Sequence, residues 1–299
     1  MPLTGLHLLL TYQCNYECEH CFVWGGPQQS GTMTLAQIRH ILHQAAALGG
    51  VRWIYFEGGE PFLYYPPLRR GLELAHQMGF QAGLVTNAYW ATSLEDATEW
   101  LRPLAGLLQD LGLSSDLYHA DEQMSAQAWH AQAAAEALGI PVGVISVAQP
   151  EASAACASGK LPEGESGVMY RGRAAVKLAG RVPPRPWEGF DSCPHEDLQD
   201  PARVHVDPLG ILHVCQGISI GNLFEEPLAE IWRRFDPHAH PILGPLLEGG
   251  PAGLVTRYRL PHQPGYADAC HLCYQARLAL RQRFPQALAP DQAYGVSAP

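Results

Sequence analysis

Three cysteines near the N-terminus, Cys14, Cys18 and Cys21 in the run CNYECEHC, form a CxxxCxxC triad. Three thiolates supply one ligand fewer than a four-iron cube requires, which leaves one iron open for a small molecule. Zinc is the competing occupant. It prefers four ligands closed tetrahedrally, so a fourth would have to come from His20 or a distant residue. A second group, Cys193, Cys215, Cys270 and Cys273, makes a complete set of four thiolates, ordered as a cysteine, a second after a hairpin pattern, and a CxxC opening a helix pattern. Such a set suits either a fully ligated iron–sulfur cluster or a four-cysteine zinc site. The helix N-terminus expected near Cys270 carries partial positive charge and would stabilise thiolates there. Cys156, in a polar stretch outside both groups, reads as a spare buried thiol.

Positioning these groups requires rigid elements. The first half of the chain alternates short apolar runs with amphipathic stretches, the signature of repeated βα units around a parallel sheet. Strands are expected near Leu6 to Thr11, Arg52 to Phe56, Gln81 to Thr86, Gly112 to Ser115 and Ile140 to Ile145, with a sixth near Gly167 to Tyr170. Helices fit Leu35 to Leu48, Pro67 to Met78, Leu94 to Leu108 and Glu122 to Leu138, each with apolar residues at three- and four-residue spacing. Thr34 and Ser93 fit as N-caps. Five or six such units are too few for a complete eight-fold barrel, so the expected fold is α/β, an open, partial (β/α)6 barrel. Barrels collect chemistry at the C-terminal ends of their strands. Glu57 to Pro61, Asn87 and Ser114 to Asp116 all fall at such ends, with His119, Trp24 and Trp90 as further candidates for the mouth, although aromatics there ordinarily serve packing.

Beyond these units the pattern changes. VPPRPWEG, from Val182 to Gly189, reads as a linker. VHVDPLGILHVC reads as a β-hairpin turning at Asp207 to Gly210, followed by GNL at Gly221 to Leu223, a short helix around Leu228 to Phe235, and a last helix from near Cys270 to about Phe284. The tail reads as irregular.

Composition excludes several functions. A formal net charge of −10 over 299 residues leaves no basic stripe for a phosphate backbone, which argues against nucleic acid as a partner. No apolar run approaches the roughly 20 residues a membrane-spanning helix needs. The start, MPLTGLHLLLTYQC, lacks the basic n-region of a lipoprotein signal and has Tyr12 and Gln13 where small residues would stand. Eight cysteines in metal-like spacings fit a reducing cytoplasm better than a disulfide scaffold.

The triad immediately after an apolar strand, followed one βα unit later by GGEP at Gly58 to Pro61, resembles the radical S-adenosylmethionine (SAM) superfamily. The resemblance implies a four-iron cluster on Cys14, Cys18 and Cys21 whose open iron binds SAM, and an external electron donor such as a flavodoxin or ferredoxin. It implies that Gly58, Gly59, Glu60 and Pro61 bind the SAM amino group. His20 stands where the family usually has an aromatic residue beside the adenine, and an imidazole can stack too. Thr86, Asn87 and Ser114 to Asp116 resemble segments that contact SAM in relatives. Arg171 and Arg173 in YRGRAA resemble a Gly-Arg segment near the last barrel strand, where a guanidinium pairs with the SAM carboxylate or a substrate anion. Asp116 and Arg171 are the candidate catalytic residues, each with an ordinary structural alternative as a loop acid or a salt bridge.

The order of Cys193, Cys215, Cys270 and Cys273, with the DPLG turn and GNL segment, resembles the short "twitch" form of the auxiliary-cluster domain. The longer "SPASM" form carries more cysteines. The implied organisation is a barrel over residues 1–185 and a small α+β auxiliary domain over 186–299, holding a second [4Fe-4S] cluster. Four thiolates saturate that cluster, so its expected task is electron transfer, as in superfamily dehydrogenases where the barrel radical takes hydrogen from a carbinol carbon. The expected reaction is therefore a net oxidation of a small metabolite. The alternatives are a maturase acting on a ribosomally made peptide and, in a different class, a non-catalytic iron–sulfur or zinc protein. Many maturases carry a leader-binding domain; with a first strand so near the start, none is expected at the N-terminus, though a separate partner could supply it.

Overall fold

The structure, a computed structural model, describes residues 3–122, 124–155, 161 and 164–296. Cys156 lies outside the described residues. The chain divides into two units, one of Pro2–Cys18 and Gly25–Gly167, the other of Glu19–Trp24 and Val168–Pro299 with Met1.

The first unit alternates β1 (Gly5–Thr11), α1 (Leu35–Leu48), β2 (Trp53–Gly58), α2 (Tyr65–Gln77), β3 (Gln81–Thr86), α3 (Leu94–Leu101), β4 (Asp110–Ser114), α4 (Ala126–Ala137), β5 (Val142–Val147), α5 (Pro150–Ala155) and β6 (Glu165–Ser166). Neighbouring strands pair in parallel in sequence order from β1 to β6. Parallel pairing needs a crossover between strands, and each long helix supplies one. Leu6, Leu8, Leu9 and Leu10 of β1, Ile54 and Phe56 of β2, Leu84 of β3, and Leu111 and Leu113 of β4 are buried. Near-continuous burial along β1 is what a parallel strand covered on both faces requires.

Local chemistry sets the helix limits. In α1 the buried residues Ile38, Ile41, Leu42 and Ala45 recur at helical spacing. Thr34 and Gln37 cap its start reciprocally, and Gly49, at φ 78°, ends it. Ser93 caps α3 by accepting from the Asp96 N–H. That helix stops at Leu101, short of the expected Leu108, where Pro103 lacks a donor and the chain tightens into a 3-10 turn over Arg102–Leu104. The helix expected from Glu122 begins at Ala126, because Ser125 accepts from the Ala128 N–H at 3.1 Å and fixes the start. The sixth strand is only two residues long and lies just before its expected position.

The second unit holds α6 (Ala174–Lys177), β7 (Arg185–Pro186), β8 (Arg203–Val206), β9 (Ile211–Cys215), β10 (Ile218–Asn222), α7 (Leu228–Arg234), α8 (Leu243–Tyr258), β11 (Gly265–Tyr266) and α9 (Ala269–Leu280). The expected hairpin is β8–β9, antiparallel, and β10 returns against β9. Buried Asp207 braces its turn, accepting from the N–H groups of Leu209 and Ile211 while its other oxygen meets buried His213 at 3.3 Å. The segment read as a linker is part of this unit. Its Arg185 and Pro186 pair with Tyr266 and Gly265, and Phe190 is buried. Helix α8 had no sequence expectation; it is interrupted at Gly249 and Gly250, just before Pro251. The tail is not irregular throughout, since Asp291–Tyr294 form a 3-10 turn that buries Ala293 and Tyr294. The whole is an α/β architecture of the partial (β/α) barrel kind with a small extra unit. Among the described residues no helix is long and apolar enough to cross a membrane.

Thr34→Ala removes the capping hydroxyl of α1 and should cost about 1 kcal/mol. The reading is a lower denaturant midpoint at unchanged m-value, and an unmoved midpoint would contradict the capping role.

Candidate metal centres

In the first unit, the chain leaving β1 is held to the chain leaving β2 by main-chain bonds. Gly59 N–H donates to the Thr11 carbonyl at 2.6 Å, and Glu60 N–H to the Gln13 carbonyl at 2.8 Å. A Cβ on Gly58 (φ 130°) would collide with the Thr11 carbonyl, and one on Gly59 with the Gln13 carbonyl. Both glycines are thus required for the backbone approach that carries the chain into Cys14. Cys14 N–H donates to the Gly26 carbonyl at 3.1 Å, and its sulfur accepts from Tyr16 N–H at 3.4 Å and Asn87 Nδ2 at 3.6 Å.

Glu60 is fully buried beneath this segment. Its carboxylate accepts from Phe62 N–H at 2.9 Å, the Thr86 hydroxyl at 2.8 Å and Asn87 N–H at 2.8 Å. Burial pushes its pKa up to about 7, against the opposing pull of the Asn87 and Phe62 N–H groups, the Thr86 hydroxyl and the charge of His119. Asn87 also donates to the Asn15 side chain at 2.9 Å, so one residue at the end of β3 links Glu60 to the start of the triad. The resemblance made Glu60 a SAM contact; the structure shows its carboxylate engaged within the protein. Pro61 is buried at the start of the following 3-10 turn, and Ser114 is the half-buried last residue of β4.

Asp116 is likewise buried and engaged. It accepts from Tyr118 N–H at 2.9 Å and Val147 N–H at 3.1 Å, and meets His119 Nδ1 at 2.8 Å. Those contacts fit its structural alternative as a loop acid. Trp90 is buried too, stacked on Phe62 with ring centroids 4.2 Å apart, which is packing.

In the second unit, His20 and Cys21 are half-buried. The Cys21 carbonyl accepts from Arg173 N–H at 2.9 Å. A Cβ on Gly172 (φ 59°) would lie 2.7 Å from that carbonyl, so the Gly-Arg pair matches the backbone after the third cysteine. The Arg173 guanidinium lies over the Trp24 ring, 5.5 Å from its centroid.

Cys193, Cys215, Cys270 and Cys273 all line one cavity. Cys215 ends β9, and Cys270 and Cys273 occupy the first turns of α9. Asp268 caps that helix, accepting from His271 N–H at 2.7 Å. Burial, with Asp268 adding to it, pushes Cys270 far up, and burial pushes Cys273 up to about 11 although Arg277 opposes it. A metal binding here must displace protons that the bare site retains.

Arg171, named above as a catalytic candidate, faces this cavity. Its Nη1 meets Glu196 at 3.1 Å and Cys215 Sγ at 3.4 Å. Arg277, nearly inaccessible to solvent, donates to the Gln216 carbonyl at 2.7 Å. Burial disfavours both charges, yet the surrounding sulfurs, led by Cys215 for Arg171 and Cys273 for Arg277, hold each guanidinium above its ordinary value. Each also keeps a buried Nε with no hydrogen-bond partner among the described residues. Four thiols and two guanidiniums with donors to spare form a donor set that fits an anionic, thiolate-ligated iron–sulfur or zinc centre. Sequence reading missed Arg277, Glu196, His195 and Asp268, although the last two stand two residues from Cys193 and Cys270. Ligand atoms of His195, Asp268 and Cys270 lie within 4.8 Å of one another.

Residues 8–116 match the Radical SAM superfamily. The chain is 30% identical over 112 residues to the putative peptide biosynthesis protein YydG of Bacillus subtilis (strain 168), covering 37% of this chain and 35% of that protein. It is 33% identical over 82 residues to an S-adenosylmethionine-dependent nucleotide dehydratase of Selenomonas ruminantium, covering 27% of this chain and 29% of that one. The chain thus aligns with about a third of the length of these curated relatives. Among solved structures, BtrN in complex with AdoMet and 2-DOIA superposes with a TM-score of 0.55 at 17% identity, covering 92% of each chain. Native anSMEcpe with bound AdoMet and Cp18Cys peptide gives 0.51 at 14% identity, covering 99% of this chain and 100% of that one. At these identities the likeness is one of fold.

The raised Glu60 value makes stability depend on pH. The folded state holds a proton that the unfolded chain releases above its ordinary value of 4.5, so the contribution is full below that value and is lost as pH rises through about 7. Denaturant titrations across this window should show the parent losing stability with pH faster than Glu60→Gln. Parallel curves would contradict the shift.

Proposed function

We propose that this chain, whose residues 8–116 match the Radical SAM superfamily, is a radical SAM enzyme that performs a net oxidation. The observation that carries the reading is that the matched segment contains Cys14, the GGEP stretch and the buried Glu60–Asn87 brace that ties them together. Cys14, Cys18 and Cys21 would hold a four-iron cluster with one open iron. The polar strand-end residues Asn87 and Ser114, the Gly58 to Pro61 backbone, His20 and Arg173 are the proposed surroundings of SAM.

Bound there, the cluster would supply reductive cleavage of SAM to methionine and a 5′-deoxyadenosyl radical, which removes hydrogen from a substrate C–H bond. The protein's own residues fix the ligand loop. Gly58 and Gly59 admit the backbone leading into Cys14, Asn87 donates to its sulfur, and Gly172 with Arg173 secures the carbonyl of Cys21.

Cys193, Cys215, Cys270 and Cys273, in the proposed auxiliary domain over 186–299, would hold a second cluster. Four thiolates leave it no vacant position, so its proposed task is accepting an electron. That assignment favours oxidation, such as alcohol to carbonyl, over isomerisation. The proposed substrate is a small metabolite, and the proposed donor is a flavodoxin or ferredoxin. A peptide substrate is the second reading, favoured by the 30% identity to a putative peptide biosynthesis protein.

Anaerobically reconstituted protein with SAM and a strong reductant should form 5′-deoxyadenosine. The Cys14→Ala, Cys18→Ala, Cys21→Ala triple variant should form none while retaining about four irons, the content of one cube. Formation of 5′-deoxyadenosine by the triple variant would contradict the assignment.

A further inference from the structure

We propose that Arg171 and Arg277 compensate the charge of the metal centre held by Cys193, Cys215, Cys270 and Cys273, and thereby raise its reduction potential. The inference rests on the reading of that centre as an iron–sulfur cluster. It adds which side chains make the cluster an acceptor.

The argument is one of charge in a dry site. Four thiolates around an oxidised four-iron core leave a net charge of about −2, and accepting an electron makes it about −3. Concentrating such charge away from water is costly unless cations stand close by. The cavity supplies two. Arg171 is 8% exposed and lies 3.4 Å from Cys215 Sγ; Arg277 is 2% exposed, lines the same cavity and donates to the Gln216 carbonyl at 2.7 Å. Arginine suits this position because its guanidinium stays charged when buried.

The hydrogen-bond inventory points the same way. A guanidinium needed only to tie two segments together would spend its donors on protein acceptors. Arg171 Nε and Arg277 Nε have none among the described residues, and both arginines line the cavity that the four cysteines line. Unpaired buried donors cost free energy, and sulfur acceptors on a bound cluster would satisfy them. Hydrogen bonds to cluster sulfurs are a recognised lever on potential.

Nearby anions offset part of this charge. Glu196 pairs with Arg171 but is shared with Arg203, 3.6 Å away and half-exposed. Asp268 has its oxygens on the N–H groups of His271 and Tyr170. The reduced centre would therefore sit against two buried cations, one of which already contacts a ligand sulfur.

The test uses the full chain carrying Cys14→Ala, Cys18→Ala and Cys21→Ala, so that only the second centre remains. Iron and sulfide are counted after anaerobic reconstitution, and the midpoint potential is read by titration with electron paramagnetic resonance. Arg171→Gln and Arg277→Gln should each shift the midpoint to more negative values, and Arg171→Lys should shift it less than Arg171→Gln. Gln variants that hold the cluster at the parental potential would overturn the proposal and leave the cluster reading standing. Stoichiometric zinc and no iron in the parent would overturn both. If a Gln variant fails to retain iron, the Lys variant at the same position decides: retention by Lys supports charge compensation, and loss from both overturns it.

Discussion

The contact on which the first unit depends is the approach of two backbones where β1 and β2 end. Gly59 and Glu60 donate to the carbonyls of Thr11 and Gln13 at 2.6 and 2.8 Å, a distance at which no side chain fits beneath Gln13. Placing the chain there buries Glu60, and burying Glu60 obliges β3 to deliver Thr86 and Asn87 as its partners. The Glu60 carboxylate joins the ends of β2 and β3, and the main-chain N–H groups of Gly59 and Glu60 join them to the end of β1. Asn87 then reaches the sulfur of Cys14, so the position of the first cysteine follows from the register of the parallel sheet.

In the second unit the governing constraint is electrostatic. Four thiols converge where burial opposes their ionisation, and two arginines converge where burial opposes theirs. Neither set is at ease alone. Together they form a site in which thiolate and guanidinium stabilise one another, and a bound cation would complete the balance. The folding that achieves this is ordinary: a hairpin braced by Asp207 delivers Cys215, and a helix capped by Asp268 delivers Cys270 and Cys273.

Much of this was legible in the sequence because it is local. The extents of α1 and β3 follow from apolar spacing and from the cap at Thr34, and the Asp207 turn from its composition. What could not be read depends on partners distant in the chain. The Pro-rich stretch resembled a linker because its pairing with Gly265 and Tyr266 leaves no periodicity. Helix α8 was hidden by Gly249, Gly250 and Pro251, which break the pattern from within. Arg277 carried no signal in the sequence; only the fold shows it buried and lining the cavity with Cys273. Glu60 was legible as a motif residue, but its bonds to Thr86 and Asn87 were not.

The central claim is that the chain carries two iron centres of different kinds, one open to SAM and one closed by four thiolates. The most direct measurement is the electron paramagnetic resonance spectrum of the reduced, anaerobically reconstituted protein, recorded with and without SAM. The account predicts two cluster signals, of which one changes on adding SAM and is absent without the first three cysteines, while the other is unmoved. A spectrum with only one cluster signal, or two signals both indifferent to SAM, would contradict it.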